Sequence, residues 1–124
     1  MNTNLAQLVA AAADLCRKPL RHGVVSTTAT GDHDQTLLLE VRNPQGERLP
    51  DQDLELELFR SGGEGNDSLH LLLSWRDNDQ KPTLWHGSHP VWMDPHGMRC
   101  EPPCDGAQLE ALARRLRALL DAEL

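Results

Sequence analysis

Leu5, Leu8, Val9, Ala12, Leu15 and Cys16 recur at spacings of three and four, and so form one apolar stripe of a helix. Asn4 stands at the N-cap position with Gln7 three residues on, a weak capping box, and Pro19 ends the helix because its ring excludes the next helical hydrogen bond. The period then changes from 3.6 to 2. Residues 23–30 are rich in Val and Thr, and in 35–42 Leu37, Leu39 and Val41 alternate with the residues between them. Asn43-Pro44-Gln45-Gly46 carries the chemistry of a type I turn. Leu54, Leu56 and Leu58 alternate with Asp53, Glu55 and Glu57; Leu69, Leu71, Leu73 and Trp75 line one side of 68–76; a short fifth strand is expected at 83–86. After Asp105, a second helix is read from Leu109, Leu112, Ala113, Leu116, Leu119 and Leu120, with Asp105 as its cap.

Every strand-to-strand link is short and contains no helix, whereas parallel neighbours need long crossovers. The expectation is therefore an α+β fold in a single domain spanning 1–124. About five antiparallel strands form one meander sheet, and the N-terminal and C-terminal helices pack on one face of it. No internal repeat is read from the sequence.

Charge and composition narrow the function classes. A formal net charge of −7 disfavours duplex nucleic acid and anionic lipid, both of which call for clustered Lys and Arg. The chain has no Tyr and one Phe, so the core must be aliphatic and aromatic platforms for single-stranded nucleic acid are lacking. Three cysteines do not make a disulfide framework, and no stretch reads as a signal peptide or a membrane span; the expected location is the cytoplasm.

The unusual chemistry is concentrated in residues 85–104, WHGSHPVWMDPHGMRCEPPC, which hold three histidines, two cysteines, two tryptophans and four prolines. His86, His89, His96, Cys100 and Cys104 offer imidazole and thiolate ligands of the kind zinc takes, although no CxxC knuckle is present and Pro102-Pro103 favours an extended path. A thiol nucleophile at Cys104 would sit before the second helix, but Glu101 and Asp105 oppose a thiolate there, and no enzyme is expected. Trp85, Trp92 and Met93 have the composition of a binding hot spot. Arg114, Arg115 and Arg117 form a basic ridge on the last helix that could meet an acidic partner or a second copy.

Three functional readings follow. The preferred one is a non-enzymatic interaction module of the assembly-factor, chaperone or regulatory-subunit type. It needs no cofactor and contacts a protein partner, or itself, through 85–104. The second is a zinc-binding or thiol-dependent protein using the His/Cys cluster. The third is a small-ligand pocket between sheet and helix, lined by leucines.

Overall fold

A computed structural model describes residues 5–26, 35–61 and 68–122. Helix α1 (Leu5–Cys16) is followed by strands β1 (Arg21–Ser26), β2 (Gln35–Arg42), β3 (Leu54–Ser61), β4 (Ser68–Trp75), β5 (Thr83–His86) and β6 (Pro90–Met93), and by helix α2 (Gly106–Ala122); a short 3-10 turn, Pro50–Gln52, precedes β3. The six strands form one antiparallel sheet in chain order, β1 to β6, with β1 and β6 at its two edges. The expected meander is there with one strand more than expected. The first strand begins two residues earlier than the 23–30 segment proposed for it; positions 27–34, with the end of that segment and its hairpin loop, lie outside the described residues, as does Asn4.

Alternation decides which side chains go inside. Leu37, Leu39, Leu54, Leu56, Leu71 and Leu73 face one side, where Val9, Ala12 and Ala13 of α1 and Leu109, Leu112, Ala113 and Leu116 of α2 meet them, all within 2 % of full burial. Both helices thus cover the same face, and they touch each other above it. Leu15, read as part of the stripe, is 46 % exposed instead, at the margin of the contact between the helices. The space between sheet and helices is filled by these aliphatic side chains. An apolar recess of about 560 Å³ lies between the helices, lined by Leu8, Ala11, Leu15, Arg115 and Leu119 among others.

Two hairpin ends are built alike, a likeness that the hydrophobic pattern does not carry. Asn43-Pro44-Gln45-Gly46 and Asp94-Pro95-His96-Gly97 each close with the glycine N–H donating to the carbonyl of the first residue, at 2.9 Å in both. Each first side chain accepts two backbone N–H groups, Asn43 Oδ1 from Gln45 and Glu47, Asp94 Oδ1 from His96 and Met98. Gly46 and Gly97 take positive φ (88° and 81°), which only glycine adopts without strain. An Arg follows two residues after each glycine and pairs back across the turn, Arg48 with Arg42 and Arg99 with Met93.

Candidate interaction site

Residues 85–104 are two short strands and a tight turn rather than one proline-stiffened loop, and strand parity separates their side chains. Leu84 pairs with Trp92 and Trp85 with Val91, so Trp92 points into the core while Trp85, Val91 and Met93 point to the face that the helices leave uncovered. Trp92 is 4 % exposed and its Nε1 donates to Glu110 Oε2 at 2.6 Å. It is core filling that ties the β6 edge to α2. The expectation that Trp92 is a binding anchor is therefore corrected.

Trp85 has the opposite setting. It lies partly exposed against the His70 ring, with centroids 5.4 Å apart and planes at 14°, and 5.7 Å from the Phe59 ring. Paired positions run across the sheet from Glu57 to Leu72, Trp85 and Val91, and directly opposed residues share a face. Phe59, Leu72, Trp85, Val91 and Met93 therefore make a contiguous, partly exposed apolar patch over β3 to β6. Towards β2 the same face becomes mixed, with Glu40, Glu55 and Glu57 beside a partly exposed Leu38, and an ion pair between Arg76 and Glu40 at 3.6 Å. Among the described residues, neither helix packs on this face. Phe59, Leu72 and Val91 were missed as site residues. Leu72 had a readable signal: the run Leu71-Leu72-Leu73 breaks alternation and so must put one leucine outside.

The five expected metal ligands are dispersed. His86 is buried at the core side of β5, His89 is exposed in the β5–β6 turn, His96 is exposed at the tip of the next turn, Cys100 packs partly against the core and Cys104 is exposed. Among the described residues no three His, Cys, Asp or Glu side chains are grouped so as to hold a metal ion. The zinc expectation fails because a four-residue strand and a tight turn intervene: His86 is held inward by parity while His96 is used up as turn tip. All three cysteines are free thiols, and burial pushes that of Cys16 up.

The basic ridge is also corrected. Arg115 lines the groove between the helices, whereas Arg114 and Arg117 lie one turn apart over the β5–β6 turn. Arg114 reaches Glu110 at 3.7 Å and Arg117 donates to the Gly87 carbonyl. Residues 114, 115 and 117 of one helix cannot all project to the same side.

A second polar cluster, which no sequence motif marks, lies at the opposite end of the fold. The His22 N–H and ring Nδ1 both meet Asp14 Oδ1, at 2.7 and 2.9 Å. A carboxylate only accepts, so Nδ1 carries the proton and Nε2 is left to accept from Arg17, 3.1 Å away. Arg17 is 2 % exposed and also donates to Gln52 Oε1 at 3.0 Å and to the Gln52 carbonyl at 3.3 Å. An Asp–His pair of this kind orients a base in many active sites, but here the basic nitrogen is capped by a buried guanidinium. The trio fastens the end of α1 to β1 and to the turn before β3. Burial, offset in part by Asp14 and reinforced by Arg17, holds the His22 ring below the usual histidine range. Nearby, Asp53 accepts from Arg48 at 2.7 Å and from Val41 N–H at 2.8 Å; burial alone would raise its carboxyl, but these bonds hold it below the ordinary range.

No curated protein and no solved structure matches the chain. Residues 6–119, nearly all of the fold just described, match one protein family, and the chain belongs to that family, described as a domain of unknown function, DUF8659.

Proposed function

We propose that the protein is a non-enzymatic interaction module that engages a protein partner through the uncovered face of its sheet. The observation that carries this reading is the patch of Phe59, Leu72, Trp85, Val91 and Met93 opposite the helix layer. A solvated sheet face normally alternates to polar residues, as this one does at Glu40, Glu55 and Glu57. Apolar and aromatic side chains gathered beside a charged rim have the make-up of an interface core and its surround. Trp85 and Met93 serve as anchors, and the Glu55 and Glu57 side of the face favours a partner with basic residues beside an apolar strip. Three free thiols suit a reducing cytoplasm, where such a module would work.

The test is co-purification from the native cell with the wild-type chain, with Met93→Lys and with Trp85→Ala, each checked for an unchanged fold by circular dichroism. A partner retained by the wild type and by an Arg115→Gln control, but lost from both face variants, supports the reading. A partner held equally by all four chains contradicts it. Light scattering on the purified chain separates self-association from binding to another protein.

A further inference from the structure

On the side of the sheet that carries the helices, the β5–β6 turn and α2 enclose a shallow recess of about 390 Å³, lined by His86, Ser88, His89, Pro90, Arg114 and Arg117. We propose that this recess binds the oxyanion group, carboxylate or phosphate, of a small molecule. The proposal goes beyond the protein-binding reading and does not rest on it, since the two sites occupy opposite faces.

The lining contains two guanidinium groups, two imidazoles and a hydroxyl, and no carboxylate, in a chain whose formal net charge is −7. Arg114 has a side chain 60 % exposed, and its contact with Glu110 at 3.7 Å is longer than a hydrogen bond, so its fork is available to a planar or tetrahedral anion. Arg117 is fixed at the floor by its bond to the Gly87 carbonyl, and its buried Nε has no partner. His86, 4 % exposed, likewise has a buried Nε2 with no partner. Buried polar atoms left unpaired are uncommon and costly, and two of them beside one recess mark a place built to receive hydrogen-bonding atoms. The volume falls within the range of small-molecule sites, roughly 300–1,000 Å³, and exceeds what a bare anion needs.

The tautomer of His86 sets the pH behaviour. Its Nδ1 lies 3.1 Å from the Gly87 carbonyl, which can only accept, so Nδ1 carries the proton and Nε2 a lone pair. Burial, with Arg117 and Arg114 adding to it against the pull of the Gly87 carbonyl, keeps the ring neutral near pH 7. The charged and titratable groups facing this histidine are Arg114 and Arg117 from α2 and His89 from the turn, with Glu110 behind Arg114. A bound anion reverses the local field and favours a proton on Nε2, so binding takes up a proton and tightens as pH falls. Nε2 is shielded from solvent, so contact with it requires a shift of a wall side chain, which the exposed Arg114 is able to make.

The experiment titrates the full chain with inorganic phosphate and, separately, with acetate at constant ionic strength in chloride, following the histidine ring resonances. Saturable shifts of His86 and His89 in the millimolar range or tighter are expected with at least one anion, and which anion binds tells a phosphate ligand from a carboxylate ligand. Arg114→Gln should weaken binding roughly tenfold, the loss of one charge-assisted hydrogen bond, while Arg115→Gln leaves it unchanged. Affinity should rise from about pH 7.5 to about pH 6. Absence of saturation with both anions, or equal weakening by the two arginine variants, overturns the proposal; both substituted side chains are at the surface, so folding is not at issue.

Discussion

Gly106 shows how closely single atoms are fitted in this fold. A Cβ there would fall 3.1 Å from Pro102 Cβ and 3.1 Å from Trp92 Cζ2, one a rigid ring and the other a buried indole held by Glu110. Neither neighbour gives way readily, so Gly106→Ala should destabilise the fold by about 1–3 kcal/mol in urea unfolding, against the usual gain of alanine in a helix. Asp53 is the second such point. Its removal in Asp53→Ala leaves the Val41 N–H without its acceptor and the Arg48 guanidinium with the Val41 carbonyl alone, at a cost of about 2 kcal/mol in the same assay. His22 carries a pH prediction. Its folded pKa lies below the unfolded value of about 6.5, so the unfolded chain binds the extra proton first; the stabilisation is present above pH 6.5 and is lost as pH falls towards the folded value. The melting temperature should therefore drop between about pH 7.5 and pH 5.5, and His22→Gln should flatten that slope. Fall of the same size in both proteins would assign the dependence to other groups.

At the scale of elements, the sheet and the helices hold each other through leucine. Leu39 and Leu71 are fully buried beneath the helix layer, and truncation of either to alanine should cost about 2–5 kcal/mol, read as a lower urea midpoint with unchanged slope. Period-2 and period-3.6 patterns carried in long elements were legible, which is why β2 falls at the residues expected and both helices lie where their stripes predict. β6 was not, for three physical reasons. It is four residues long, it begins with Pro90, which suits an edge position, and Pro90-Val91-Trp92-Met93 is apolar throughout because one face meets the core and the other belongs to the outer patch. The likeness of the 43–48 and 94–99 turns was hidden because it consists of Asx acceptors and a positive-φ glycine rather than of matching apolar residues. Once β6 is in place, histidines and cysteines that look clustered along the chain separate to the interior, a turn tip and the surface.

The whole molecule is two-sided. One face of the sheet is sealed by α1 and α2, and beside them lies the cationic recess; the other bears the apolar patch with an acidic margin. Among the described residues no helix is long and apolar enough to cross a membrane. The site residues were only half legible in the sequence: Trp85 and Met93 belong to the outer patch, but their companions Phe59 and Leu72 come from strands distant in sequence, and only the register between strands brings them together. The most direct test labels the methyl groups of Leu, Val and Met and follows their resonances as the co-purified partner, or excess unlabelled chain, is added. The account predicts shifts and broadening at Leu72, Val91 and Met93 with Leu8, Leu15 and Leu119 of the helix side unmoved. Perturbation confined to the helix side, with the three outer-face methyl groups unchanged, would contradict it.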